Sequence, residues 1–270
     1  MPELPEVETT RRGLEPHVAG KKIAGVAVRQ MLRWPVPENL SGEISGCTLE
    51  GLSRRGKYLL FDCGKGTLIL HLGMSGSLRY LRDPVEPLKH DHFDLCFTDR
   101  SLVRMRDPRR FGAVLWKKGN ALSHPLLADL GIEPFDPGFS GEALYRLSRG
   151  RTVSVKQFLM DHHVVVGVGN IYASESLFRA GISPLRTAGS IALSRYSRLA
   201  EAVRETLGEA LEAGGSSLRD FLDSSGNPGY FQHNHLVYGR SGFPCLVCSM
   251  PIRQVKQGQR SSYYCPKCQK

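Results

Sequence analysis

The chain has no uncharged apolar run of about 18 residues, the least that a membrane-crossing helix needs, so a spanning helix is excluded. It has no basic-then-apolar start either. MPELPEVETTRRG puts Glu3, Glu6 and Glu8 ahead of Arg11 and Arg12, the wrong order for a secretory signal. No internal repeat is visible. No G-x-G-x-x-G follows a strand-like run with a later acidic partner, which leaves a dinucleotide-binding reading weak. Acidic residues are scarce: 26 Asp and Glu stand against 36 Lys and Arg, for a net charge of +10. Residues 224–270 carry no acidic residue at all. Such a balance points to a polyanionic partner, nucleic acid above all, with a merely basic protein as the plain alternative.

What is present is enough for about two domains in 270 residues. The first half reads as short strands. Ile23 to Val28 alternates in part. YLLFDC (58–63) and TLILHL (67–72) flank a GKG turn, and HFDLCF and LVRMR (102–106) flank TDRS. Many short strands with Gly and Asp turns predict a β-sandwich or barrel. The Pro- and Gly-rich GIEPFDPGFSG (131–141) marks a linker. Beyond it the period changes. Tyr196, Leu199, Val203, Leu207 and Leu211 recur every three to four residues and stop at Gly214-Gly215, which predicts a helix over 194–213. Gly169–Ala180 reads as a second helix.

The seven cysteines divide into two groups. Cys47, Cys63 and Cys96 stand singly among apolar residues and read as buried thiols. Cys245-x2-Cys248-x16-Cys265-x2-Cys268 has the spacing of a four-thiolate zinc site, and without a secretory signal it fits a reducing compartment better than disulfides do. Four cysteines leave no position for a catalytic water, so the zinc reads as structural. IRQVKQ, Gly258-Gln259 and RSSYY between the pairs read as a hairpin that presents Arg260.

Other stretches carry two readings each. GVGNIYASES (167–176) is either an ordinary turn or a helix entrance whose N–H groups, with Asn170, hold a phosphate. RDPRRFG (106–112) sets Arg109 and Arg110 beside Phe111, which is either a solvated turn or a wedge for stacked bases. Met74 in HLGMSGS lies on a loop and, alone, would be core filler. Lys57 opens a strand after a basic turn. KHDHFD (89–94) offers phosphate contact or packing.

Taken in order, MPELPEVETTRRG, KYLL, HLGMSGSL, KHDH, DPRRFG, GVGNIYASESLF and the terminal cysteine pairs resemble bacterial formamidopyrimidine-DNA glycosylase over essentially the whole chain. The resemblance implies an α+β protein. An N-terminal β-sandwich with an N-terminal helix spans 1–132, a linker 133–150, a helix-two-turns-helix domain 151–234 and a zinc-bound hairpin finger 235–270. A loop near 216–231 would close over the lesion. It implies a cytoplasmic bacterial monomer, with one zinc ion, that excises 8-oxoguanine and formamidopyrimidines from damaged duplex DNA and nicks the strand by β,δ-elimination.

By the same resemblance, Pro2 is the nucleophile once Met1 is removed, Glu3 the acid/base residue, Lys57 the β-elimination lysine and Arg260 the δ-elimination arginine. His90, Arg109, Arg151, Lys156 and Asn170 contact DNA. Met74, Arg109 and Phe111 fill the gap left by the flipped base. Glu6, at i+3 from Glu3, would face the same site, and Glu8 would lie on the surface. RGRTVSVK (149–156) and Asp161-His162-His163 depart from the family's usual pattern. An oxidised-pyrimidine glycosylase of the endonuclease VIII type and a non-catalytic zinc protein that binds damaged DNA are the alternatives. The missing PEGPE start and the DPRRFG wedge weigh against the first, and the Pro2–Glu3–Lys57–Arg260 set against the second.

Overall fold

The computed structural model describes residues 1–216 and 231–270, which form two units: 1–128 with 213–216, and 129–212 with 231–270. The first unit opens with α1 (Leu4–Val18), capped by Glu3, with Pro5 in its first turn where no N–H is missed. Its apolar stripe, Leu4, Val7, Leu14 and Val18, is fully buried. Then come β1 (Ile23–Val28), α2 (Leu40–Ile44), β2 (Gly51–Arg55), β3 (Tyr58–Asp62), β4 (Gly66–His71), β5 (Ser77–Leu81), β6 (Asp91–Phe97), β7 (Leu102–Arg106), β8 (Ala113–Lys118) and α3 (Pro125–Ala128).

Both hairpins read from the sequence form, β3 with β4 and β6 with β7. They sit in two antiparallel four-stranded sheets, ordered β1-β6-β7-β5 and β2-β3-β4-β8. Leu59, Phe61 and Leu70 of one sheet share a core with Phe93, Leu95 and Val103 of the other, and α1 adds Val7 and Leu14 to it. This is a sandwich rather than a barrel. Of the three single cysteines only Cys63 is buried; Cys47 and Cys96 are half-buried. Glu8 is not a surface residue. Its carboxylate receives Arg11, Arg12 and Arg54 and ties α1 to β2. Burial works against its charge, but the hydrogen bonds from Arg11 and Arg12 hold its pKa below the usual carboxylate value.

On the face of its sheet turned away from the shared core, Asp94 is 1% exposed and takes a bidentate pair from Arg104, at 2.9 and 2.8 Å, and a further bond from Arg29. Burial opposes ionisation here too, yet the two guanidinium groups lower the Asp94 pKa. A depressed folded pKa contributes stability above the unfolded value of about 4, and that stability is lost as pH falls through the folded value. Asp94→Asn takes the hydrogen-bonded counter-charge from the buried Arg104 and from the partly exposed Arg29, and should cost about 3–5 kcal/mol. Urea midpoints at pH 7 check the loss. The gap between variant and parent should narrow below about pH 4, where the parent carboxylate is itself being neutralised.

The second unit contains α4 (Gly141–Ser148), α5 (Val155–Leu159), α6 (Asn170–Arg179), α7 (Leu193–Glu212), β9 (Arg253–Gln257) and β10 (Arg260–Tyr264). α7 is the helix read over 194–213. The span 133–150, read as a linker, holds α4, capped by Ser140 and packed on α7. Gly141 there serves close packing and not flexibility, because a Cβ would stand 2.4 Å from the Ser197 Cα. α6 carries a buried acid, Glu175. Its carboxylate accepts the N–H groups of Leu236, Val237 and Tyr238 at 2.8, 3.0 and 2.7 Å and so fastens the approach to the finger. Among the described residues no helix is long and apolar enough to cross a membrane.

Candidate nucleic-acid interface

In the first unit, register gathers the sequence-selected residues. Tyr58 pairs with His71, and His71 with Ala113, so Lys57, Met74 and Phe111 all leave the same end of their sheet. In the other sheet Arg106 pairs with both Ser77 and Asp91, which brings His90 and Arg109 to strand ends beside each other. Asp107, fully buried, clamps the loops between them. Its Oδ1 accepts from the Ser75 hydroxyl at 2.9 Å, its Oδ2 from the Gly112 N–H at 2.8 Å, and its own N–H donates to the His90 carbonyl at 2.9 Å.

The Met74 loop and the Arg109–Phe111 loop touch backbone to backbone at Gly73. This residue has φ +62°, and a Cβ there would lie 2.4 Å from the Phe111 carbonyl carbon. Between the clamps Met74 is 40% exposed, and the Arg109 guanidinium lies 4.8 Å from the Phe111 ring centre. An exposed methionine beside an arginine–aromatic pair is a ready wedge. His90, held at φ +80°, lines a recess of about 620 Å³ with Arg29, Lys89 and Arg110.

His71, not singled out from the sequence, belongs with Lys57. Burial, and then the Lys57 charge, push its imidazole down to about 4, so it is neutral at physiological pH. Its Nδ1 accepts the Gly73 N–H at 3.1 Å, which leaves the ring proton on Nε2 as a donor.

The chain end is held by the first turn of α1, with Glu6 turned toward Glu3 as their spacing predicts. Pro2, Glu3 and Glu6 are all buried. Glu3 and Glu6 form a capping box in which the Glu3 N–H donates to Glu6 Oε2 at 2.7 Å. Glu6 Oε1 accepts the Ser216 N–H at 2.7 Å. Glu6 is therefore a fastener for the chain end, with both carboxylate oxygens engaged on backbone. The loop read near 216–231 lies, except for its two ends, outside the described residues.

In the second unit Lys156, Asn170 and Arg260 line one cavity of about 290 Å³ with Gln157, Gln257 and Gly258. Asn170 opens α6 next to Gly169, which brings no side-chain cap. Lys156 is only 2% exposed, and its ammonium donates to Asn170 Oδ1 at 2.7 Å, to the Ser261 carbonyl at 3.0 Å and to Ser262 Oγ at 2.8 Å. Its three donors go to protein, so Lys156 braces Asn170 and the Arg260 strand. Gln257 braces the same corner by donating to Ser154 Oγ at 2.8 Å and to the Pro184 carbonyl at 3.1 Å. Arg151 is exposed on the loop after α4 and does not line this cavity.

The finger is a β9–β10 hairpin whose turn is Gly258-Gln259, and Arg260 is the first residue of β10. The four sulfurs lie within 4.8 Å of one another, with Cys245–Cys268 at 3.9 Å and Cys248–Cys265 at 3.4 Å. Zn–S bonds of about 2.3 Å in a tetrahedron need sulfurs roughly 3.8 Å apart, so the set fits one structural zinc. Thiols this close cannot share one state. The Met250 N–H draws Cys248 down to about 7, while burial and the neighbouring sulfurs push Cys268 up to about 12. A bound dication lets all four be thiolates.

Residues 1–114 match the family described as Formamidopyrimidine-DNA glycosylase N-terminal domain. Residues 130–222 match the Formamidopyrimidine-DNA glycosylase H2TH domain, and 242–270 the zinc finger found in FPG and IleRS. Curated formamidopyrimidine-DNA glycosylases of Paraburkholderia phytofirmans and Burkholderia thailandensis are each 58% identical, over the whole of both chains. The MutM (Fpg) protein of Thermus thermophilus superposes with a TM-score of 0.89 at 40% identity, over 99% of this chain and 98% of that one. A Lactococcus lactis Fpg variant crystallised with Fapy-dG-containing DNA gives 0.91 at 35% identity over the whole of both chains.

Proposed function

The chain belongs to the formamidopyrimidine-DNA glycosylase family and is a base-excision repair glycosylase with abasic-site lyase activity; we propose that it removes oxidised purines from duplex DNA through its own chain end. The observation that carries this reading is that end: Pro2 and Glu3 buried together, and fixed by the Glu6 carboxylate at the cap of α1. Freed of Met1, Pro2 presents a secondary amine. A chain-terminal amine has a pKa of about 8, so about a tenth or more is neutral at pH 7 and able to attack.

Attack of the Pro2 nitrogen on C1′ of a flipped nucleotide forms the C–N bond as the base departs with the electrons of the glycosidic bond. Glu3 moves the proton that opens the sugar ring. The resulting iminium acidifies the C2′ proton, and its removal expels the 3′ phosphate. A second elimination expels the 5′ phosphate, and water releases the protein from the sugar fragment. Lys57, beside neutral His71, serves the first elimination and holds a phosphate. Arg260 binds the departing phosphate electrostatically, since a guanidinium is a poor proton donor at neutral pH.

Met74, Arg109 and Phe111 take the flipped base's place, and His90, Asn170 and Arg151 contact the backbone. We assign Lys156 to positioning Asn170 and the Arg260 strand. We keep the functional division into residues 1–132, 133–150, 151–234 and 235–270, and place the enzyme in the bacterial cytoplasm, where its free thiols stay reduced.

Borohydride added to the protein, beginning at Pro2, with an 8-oxoguanine duplex should trap a covalent protein–DNA adduct. Thymine glycol duplex under the same conditions should trap far less. No adduct with 8-oxoguanine, or a preference for thymine glycol, would overturn the assignment. Cutting should weaken steeply with salt, because several phosphates are held.

A further inference from the structure

One constellation is left over by the repair reaction. Asp161, His162 and His163 occupy the turn between α5 and α6, and their ligand atoms all lie within 4.8 Å of one another. The Asp161 Oδ1 is 3.0 Å from His163 Nδ1, and the two imidazole rings have centroids 4.1 Å apart at 35°. We propose that this Asp-His-His turn is a second, exchangeable metal site, distinct from the four-cysteine zinc, for a divalent transition cation such as Zn²⁺, Ni²⁺ or Cu²⁺.

The chemistry selects the cation. Two imidazole nitrogens and one carboxylate oxygen are the donor set of borderline transition ions, whereas Mg²⁺ and Ca²⁺ require oxygen ligands. Both histidines are exposed and Asp161 half-buried, so water can complete the coordination and the ion can exchange.

The scaffold beneath is fixed. The N–H groups of Val164 and Val165 donate to the Asp161 carbonyl at 2.9 and 3.1 Å, and the Gly131 N–H donates to the His162 carbonyl at 2.8 Å. The Asp161 Oδ1 also accepts the His163 N–H at 3.0 Å, which sets the carboxylate before any ion arrives. Little ordering is then left for binding to cost. In the occupied site the ion replaces the proton shared between Asp161 and His163. It adds a dication to the turn that runs through Gly167 and Gly169 into Asn170.

The test is isothermal titration of the zinc-loaded full-length protein with Zn²⁺ alone, paired with metal analysis after dialysis. The wild type should take up a second equivalent that a brief wash with a weak chelator removes, leaving one zinc per chain. His162→Asn and His163→Asn should each weaken the second equivalent at least tenfold, and the double variant should abolish it without changing the first. Cu²⁺ added to the wild type should give an electron paramagnetic resonance signal with nitrogen hyperfine splitting that the double variant lacks. Mg²⁺ should not compete. A wild type that binds only one zinc, or a second equivalent that survives in the double variant, overturns the proposal.

Discussion

Protein that keeps Met1, or carries any residue ahead of Pro2, should give no borohydride-trapped adduct and should lose strand cleavage by at least about a thousandfold. The reason is electronic. With a residue in front, the Pro2 nitrogen is a tertiary amide whose lone pair is delocalised into the carbonyl, and it cannot form an iminium. Folding should be untouched, because the cap of α1 is made by Glu3 and Glu6 rather than by the nitrogen of Pro2. The measurement pairs mass spectrometry of the intact chain, to fix the first residue, with single-turnover cleavage and trapping. Glu3→Gln is the informative companion. It keeps the amine and the fold but removes the proton carrier, and should slow base release by about 10²–10⁴-fold. If the blocked chain still cleaved at the parent rate, Pro2 would not be the nucleophile.

Loss of the zinc should be nearly as damaging, by a different route. Cys265 is fully buried, and its sulfur stands 3.4 Å from that of Cys248. Cys265→Ser removes one thiolate from a set of four. The small core around the cysteines, with Phe178, Val237 and Ile252, is too slight to hold the hairpin unaided. Metal binding in such modules is worth about 10–16 kcal/mol and is folding energy.

The expected result is a chain that retains the sandwich but lacks an ordered β9–β10 hairpin. Without that hairpin Lys156 loses two of its three acceptors, Ser261 and Ser262, and Arg260 leaves its cavity. Strand cleavage and binding to an abasic duplex should both fall at least about a hundredfold. Metal analysis and amide exchange of 253–264 check the cause. An ordered finger in a zinc-free variant would refute the account.

The sequence by itself determined the features whose signal is local. Two C-x2-C pairs announce four sulfurs because the ligand chemistry is carried by residues three apart. The hairpins at 58–72 and at HFDLCF–LVRMR announce themselves through short apolar runs and their turns, and α7 through its period. The chain-end pattern likewise marks Pro2 and Glu3 within a few residues. Tertiary structure decided what depends on partners far along the chain. Lys156 looks like any basic residue at a helix start until the fold brings Ser261 and Ser262, more than a hundred positions away, to its ammonium. Glu8 looks solvated until Arg54 arrives from β2. Asp107 is visible in DPRRFG, but its task, to join the Met74 loop to the Phe111 loop, depends on Ser75. α4 is hidden by the Pro and Gly residues before it and is secured by α7. The physical reason is common to all four. Pattern and propensity act over a few residues, whereas the cost of burying a charge or a bare backbone is settled only by the groups that the folded chain places opposite it.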